Sequence, residues 1–300
     1  MFLRDFVAQA RSSLSTIYPA EEANALTGIL CTEYLGVQSY TYLINPGYEI
    51  RNKSFAGANE ALERLMNCEP VQYVLGFCDF FGERFNVSPS VLIPRPETET
   101  LCKAAIDAAM LLYRNRSAYG SSASKVRVLD LCTGSGCIAW TLAKNVPDSY
   151  VLGADISEDA LKVASSQPFN LGKGKNPKFV GMDILDNDSV EEQLSSETAF
   201  DVITCNPPYV LESEKSRMRR NVLDYEPALA LFIPDATPMV FNSRIAEICC
   251  QHMHTDSVGI IEINEALEGP AADVFAKKGF RNIEVLKDIF GKNRFIRFNK

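Results

Sequence analysis

Asp201-Val202-Ile203-Thr204-Cys205-Asn206-Pro207-Pro208-Tyr209 decides how this chain reads. An apolar run rich in β-branched residues enters a polar Asn, two prolines and an aromatic. The run predicts a buried strand that Pro207-Pro208 must end, because proline has no N–H to give a sheet ladder. The residue before a proline is driven out of the helical region, so Asn206 is expected to be extended at the strand's end. In open α/β sheets ligands bind at that position, outside the carboxyl end of a parallel strand. The Asn206 amide offers an acceptor oxygen and two N–H donors, with neither charge nor useful proton chemistry. It suits the holding of another neutral nitrogen group, as alkyl transfer to an amide or amino nitrogen requires.

On both sides of this stretch, strands alternate with helices. Upstream, strands are expected over 126–131, 150–154 and 178–182, the last two ending at Asp155 and Asp183. A helix over 137–144 and another capped by Ser157, with Glu158 and Asp159 in its first turn, lie between them. Downstream come a helix over 238–253, a strand over 258–263, a helix over 266–278 closed by Gly279, and strands over 283–286 and 294–298. This alternation predicts an α/β domain with a doubly wound parallel sheet over 95–300. It opens on Ile93-Pro94-Arg95-Pro96-Glu97-Thr98-Glu99, read as a helix start whose acids suit the dipole rather than as catalytic acids. That helix is expected to run to about Tyr113, followed by a polar Gly/Ser loop over 117–124.

Residues 1–70 carry apolar side chains at helical spacing, as in Phe2, Phe6, Val7, Ala10 and Leu26, Ile29, Leu30, Tyr34, and predict a small helical domain. Its acids are Asp5, Glu21, Glu22, Glu33, Glu49, Glu60, Glu63 and Glu69, against the bases Arg4, Arg11, Arg51, Lys53 and Arg64. A packing or lid domain and a docking platform for a protein substrate are both open readings. Over 71–94 the helical period is lost, and Phe80-Phe81-Gly82-Glu83-Arg84-Phe85-Asn86-Val87 predicts a β-hairpin linker.

Composition narrows the function classes. The 300 residues are 46% hydrophobic and 23% charged, which fits an ordinary globular chain of about two domains. A net charge of −8 argues against direct nucleic-acid binding through the phosphate backbone. The nine cysteines have no C-x-x-C pair and read as reduced thiols, hence a cytoplasmic protein. No apolar stretch is long enough to span a bilayer, so no membrane association is expected. Cys249-Cys250-x-His252-x-His254 matches no common zinc spacing, no metal is expected, and the two histidines read as lying at a helix end. Lys215, Arg217, Arg219 and Arg220 read as a solvated helix face, with contact to a partner or to RNA as the other reading.

Asp130-x-Cys132-Thr133-Gly134-Ser135-Gly136 follows a strand and opens a helix, a context for close backbone approach to a ligand. The spacing is not G-x-G-x-x-G, and no phosphate-binding Lys follows. Asp155 is placed to accept from both hydroxyls of a ribose, and Asp183 from an adenine amino group.

These motifs resemble the AdoMet-dependent methyltransferases. Asn206-Pro207-Pro208-Tyr209 is similar to the tetrad of enzymes that methylate planar nitrogens. Pro70-x-Gln72-Tyr73-x-x-Gly76, the Ile93–Glu99 stretch, Tyr225-Glu226-Pro227-x-x-Ala230-Leu231 and Asp288-x-x-Gly291-x-x-Arg294 resemble the HemK/PrmC-type peptide chain release factor N5-glutamine methyltransferases, nearly end to end. The resemblance implies a Rossmann-like class I methyltransferase domain behind a helical domain that helps hold a release factor. It also implies S-adenosyl-L-methionine as cofactor and the glutamine of a Gly-Gly-Gln loop as methyl acceptor. Carried onto this chain, Cys132, Thr133, Gly134, Ser135, Gly136, Asp155, Asp183, Ile184 and Asn206 would hold the cofactor. Asn206, Pro207, Pro208 and Tyr209 would hold the acceptor, with Asn206, Pro207 and Tyr209 acting in catalysis. Three positions depart from the pattern: Cys132 where Gly is frequent, Ile184 where an aromatic is frequent, and Asn264 where Gly is common. The alternative activity is methylation of an exocyclic amino group, such as adenine N6, in RNA or DNA.

Overall fold

Strands with few polar positions form the centre of the molecule's main sheet. In the computed structural model, which describes residues 1–118 and 125–300, every residue of the strand Phe200–Cys205 is buried, and all but Arg127 of Val126–Leu131. Burial on both faces is what a parallel strand covered by helices requires, and it explains near-continuous apolar runs in place of alternation.

The chain forms two compact units. The first is Met1–Phe77 together with Arg219–Tyr225. It contains α1 (Leu3–Leu14), α2 (Ala20–Leu30), α3 (Thr41–Ile44), α4 (Asn52–Met66) and α5 (Val71–Leu75). Phe6, Val7, Ala10, Leu26 and Leu30 meet in its core as helical spacing predicts, but Phe2 of the expected stripe is exposed and Leu3 is buried in its place. The short α5 falls where the sequence showed no helical period. Five residues are too few to display one; Pro70 starts this turn, Gly76 at φ 82° ends it, and Arg64 binds the carbonyls of Tyr73 and Val74. Arg219–Tyr225 joins this unit through Arg219 to Glu22 and the Tyr225 hydroxyl to the Asn67 carbonyl at 2.7 Å, a long-range association that local sequence does not display.

The second unit is Cys78–Met218 with Glu226–Lys300. The hairpin β1 (Phe77–Phe80) and β2 (Glu83–Asn86) leads into α6 (Thr98–Ala118). There follow β3 (Val126–Leu131), α7 (Cys137–Asn145), β4 (Ser149–Asp155), α8 (Glu158–Ser165), β5 (Lys178–Gly181), α9 (Asn187–Leu194) and β6 (Phe200–Cys205). After the short β7 (Val210–Leu211) the chain passes through α10 (Arg220–Leu223) of the first unit, and the second unit resumes with β8 (Phe232–Ile233), α11 (Val240–His252), β9 (Met253–Glu262), α12 (Glu268–Lys277), β10 (Arg281–Lys287) and β11 (Asn293–Asn299).

Among the described residues the main sheet has seven strands in the order β10-β11-β9-β6-β3-β4-β5. Neighbours from β9 through β5 are parallel, and β11 runs antiparallel between β9 and β10. The chain leaves β3 for β4 and β5 on one side, then returns to β6 and β9 on the other. The switch point therefore lies between β3 and β6, where ligands bind in such sheets. The expected doubly wound, Rossmann-like sheet is present, with one antiparallel strand.

Several local expectations are corrected. Helix α6 continues past Tyr113 to Ala118, with Arg116 in the added turn paired to Asp201 of β6. The expected loop over 117–124 begins inside that helix, and residues 119–124 lie outside the described residues. Strand β9 starts at Met253, so His254 stands on a strand, its Nε2 2.6 Å from Asp201. Burial pushes the Asp201 carboxyl up, but Arg116, the Arg127 N–H and His254 outweigh it and hold the group below its ordinary value. The basic run is not one helix face. Lys215 and Arg217 fall in a 3₁₀ turn, Arg219 pairs with Glu22, and Arg220 with Asp224.

Candidate active site

The carboxyl ends of β3, β4 and β6 open into one cleft. Cys132, Thr133, Gly134 and Ser135 after β3, Asp155 ending β4, Asp183 and Ile184 after β5, and Asn206 and Pro208 after β6 all line it. The topology thus brings together residues spread over 77 positions of sequence.

Each wall has a physical cause. Gly134 is left-handed at φ 54°, and a Cβ added there would meet nothing within 4 Å, so this turn leaves open space over its backbone. Gly136 differs. Its missing Cβ would press on Ala164, Phe179 and Trp140 at 3.0–3.2 Å, so this glycine serves packing beneath the turn rather than the cleft wall. Cys132 also has a left-handed φ of 54°, a conformation that favours glycine. Asp130, fully buried at the end of β3, accepts from the hydroxyls of Thr133 at 2.6 Å and Thr204 at 2.8 Å, fastening the turn to the neighbouring strand. Burial pushes the Asp130 carboxyl up to about 7, against those two hydroxyls.

Asp155 accepts from the backbone N–H of Gly134 at 2.8 Å on Oδ2 and of Ser157 at 2.9 Å on Oδ1. A carboxylate has about four lone-pair sites, so acceptor capacity remains for a ligand. Burial raises its pKa, opposed by these N–H groups. Asp183 accepts from Leu185 N through Oδ1, which turns the chain so that Ile184 is buried under the cleft wall. Ile156 and Leu185, 49% and 45% exposed, add apolar surface to the same rim. Acidic groups beside exposed aliphatic side chains and an open glycine turn suit a ligand with hydroxyls, a flat apolar ring and an amino acid end.

The tetrad is held from behind. The Tyr209 hydroxyl donates to Glu262 Oε1 at 2.8 Å, and neither residue lines the cleft. Thr98, in the first turn of α6, donates to Glu262 Oε2 at 2.9 Å. Asn206 Nδ2 donates to Thr98 Oγ1 at 3.4 Å. Burial pushes the Glu262 carboxyl up to about 7, while Tyr209, Thr98 and Arg294 favour its charged form and Glu97 opposes it. Asn264 is also engaged: its Nδ2 reaches the Tyr209 carbonyl at 3.2 Å and Glu214 at 2.9 Å, bracing the backbone behind the tetrad. Glu99 accepts from the Phe81 N–H at 2.9 Å, tying the helix start to the hairpin. Sequence reading gave no role to Thr98, Glu262 or Asp130. Thr98 stood inside a quoted motif, and a buried strand ending in a carboxylate was the available signal for Asp130 and Glu262.

Residues 122–285 match the model of a methyltransferase domain family, and residues 5–76 that of the PrmC N-terminal domain. A release factor glutamine methyltransferase of Bacteroides thetaiotaomicron is 38% identical over 98% of this chain and 98% of its own length. This chain belongs to the release factor glutamine methyltransferase family. A second member, from Flavobacterium psychrophilum, is 31% identical over 100% of this chain and 99% of its own. The family's fold extends beyond its own members: the hMettl16 catalytic domain, solved with an RNA hairpin, superposes with a TM-score of 0.51 at 13% identity, covering 84% of each chain. No helix among the described residues is long and apolar enough to cross a membrane.

Proposed function

We propose that this chain transfers the methyl group of S-adenosyl-L-methionine to the side-chain amide nitrogen of a glutamine, the one in the Gly-Gly-Gln motif of a peptide chain release factor. The observation that carries this reading is Asn206, a neutral amide lining the same cleft as Asp155 and Asp183 and tied on its Nδ2 side to Thr98. Membership of the family supports the same acceptor.

The cofactor fits the walls. The Gly134 turn leaves room for its amino acid end, Asp155 has lone pairs for ribose hydroxyls, and Asp183 with Ile184 and Leu185 suits the adenine. When bound, S-adenosyl-L-methionine supplies a methyl group on a positively charged sulfur, the electrophile that an amide nitrogen needs. The chain's own residues supply position. An amide nitrogen is a poor nucleophile because its lone pair is delocalised into the carbonyl. Asn206 Oδ1 and the Pro207 carbonyl would accept the two N–H bonds of the acceptor, aiming the nitrogen and favouring positive charge as it develops there. Pro208 closes the wall beside it. Tyr209, with its hydroxyl committed to Glu262, offers a fixed ring for the acceptor's amide plane. The first unit, acidic on balance, would hold the release factor body.

The test is to offer labelled S-adenosyl-L-methionine to release factor and to RNA in parallel. Label on the release factor glutamine alone is expected. Label on RNA alone would replace this reading by amino-base methylation.

A further inference from the structure

We propose that Thr98 and Glu262 are positioning residues for methyl transfer, acting on the acceptor through Asn206. The inference rests on the proposed amide-holding role of Asn206 and adds what decides which end of that amide meets the acceptor.

An asparagine amide is nearly symmetric in shape but opposite in chemistry at its two ends. With Nδ2 toward the acceptor's NH₂, donor would face donor and the acceptor would be repelled. Something must therefore break the symmetry, and proton bookkeeping in the chain behind Asn206 does so. A carboxylate accepts only. Glu262 Oε1 takes the Tyr209 hydroxyl proton and Oε2 takes that of Thr98. A threonine hydroxyl has a single proton, so Thr98 Oγ1 can then only accept from a further neighbour. That neighbour is Asn206, which presents Nδ2 at 3.4 Å. The planar amide accordingly turns Oδ1 away from Thr98, toward the cleft that Asn206 lines.

The polarity holds because every donor is committed. Glu262 is 1% exposed, and Thr98 is 2% exposed, so water has little room to reverse either bond. Burial and Glu97 push the Glu262 carboxyl up to about 7, while Tyr209, Thr98 and Arg294 favour the carboxylate, so the accept-only bookkeeping holds where the pH exceeds that value. Arg294, which closes the Asp288-x-x-Gly291-x-x-Arg294 motif, pairs with Asp288 and Glu265 and acts on Glu262 through its charge.

The test compares Thr98→Val, which keeps the shape and removes the hydroxyl, with Thr98→Ser, which restores it, in the full-length protein. Two readouts are taken: kcat and KM with intact release factor, and solvent exchange of the Asn206 side-chain NH₂ by nuclear magnetic resonance. For Thr98→Val we expect cofactor affinity within about twofold of the parent and kcat lower by about ten- to a hundredfold, the scale of a misplaced reacting group. KM should change little, the Asn206 NH₂ should lose its protection, and Thr98→Ser should recover most of both. Parent-like kcat and amide protection in Thr98→Val would overturn the inference. So would equal impairment of the Val and Ser variants, which would point to packing. The amide measurement needs no acceptor. If the parent enzyme fails to methylate a release factor, the proposed function falls, and the NH₂ exchange still decides whether Thr98 orients Asn206.

Discussion

Arg95 and Glu226 are joined 2.6 Å apart across 131 residues of sequence, Nη2 to Oε1, and the second Glu226 oxygen accepts from the Ile93 N–H at 3.1 Å. The bridge locks the loop before α6 to the loop after α10, and Pro94, Arg95, Pro227 and Leu229 of those loops line the cleft. Two sequence motifs far apart in the chain are thus one structural unit. Removing the acid leaves a partly buried guanidinium and an unanswered N–H. Glu226→Ala is expected to lower stability by about 2–3 kcal/mol, less than a fully buried pair because Arg95 is partly exposed. Denaturant unfolding of Glu226→Ala, Arg95→Ala and the double variant should give a coupling energy above about 0.5 kcal/mol; additive effects would show the bridge to be incidental.

Asp155→Ala should weaken binding of S-adenosyl-L-methionine by about 1–3 kcal/mol in a folded protein, through lost charge-assisted hydrogen bonds. Because the carboxylate also holds the Gly134 and Ser157 N–H groups, part of the loss will come from loosening of the turn. Titration calorimetry checks the value. Unchanged affinity would remove Asp155 from the cofactor site.

Cys132 carries a side chain at a φ of 54°, where an L-residue is strained. Cys132→Gly should therefore keep cofactor binding and keep or raise stability by up to about 1 kcal/mol, strain relief being opposed by chain entropy. Cys132→Phe should block the cofactor end of the cleft. A loss of methyl transfer in Cys132→Ser with cofactor affinity intact would reveal chemistry of the thiol itself.

Asn206→Ala should leave folding and cofactor affinity nearly unchanged while turnover falls at least about a hundredfold, the loss expected for one preorganised electrostatic contact. Asn206→Asp keeps one oxygen and adds charge, so partial activity is expected. Steady-state rates with release factor as substrate make the comparison, and a parent-like rate for Asn206→Ala would end the amide-holding mechanism.

Glu262 and Asp130 set opposing pH trends. Their carboxyls titrate near 7 in the folded chain against 4.5 and 3.8 in ordinary surroundings. The folded state therefore binds protons more tightly than the unfolded state. This contribution to stability is complete below the lower values and is lost as pH rises through the upper ones. Melting temperature should fall between about pH 4 and about pH 7, and Glu262→Gln should flatten part of that fall. Methyl transfer should rise as pH passes through about 7, because the Thr98 hydroxyl donates to Glu262 as a carboxylate. A melting temperature independent of pH in this range would show that neither carboxyl is raised.

The sequence by itself determined the elements whose cause is local. The apolar run over 126–131 set the bounds of β3 to the residue, the run from Asp201 placed β6 and the Pro207-Pro208 pair ended it, and Ser157 capped α8 through the Ala160 N–H. Strand ends carrying Cys132, Asp155, Asp183 and Asn206 were legible as one site because parallel strands put their carboxyl ends on one side of a sheet. Tertiary structure decided everything that depends on a partner distant in sequence. It extended α6 to Ala118 with Arg116 paired to Asp201, gathered Arg219–Tyr225 with the first seventy-seven residues, and assigned Gly136 to packing while leaving Gly134 to the cleft. It also turned the Asn206 amide. The orientation of a nearly symmetric side chain is fixed only by where neighbouring protons are committed, and Thr98 and Glu262, 164 residues apart, reach Asn206 only once α6 and β9 have packed beside β6.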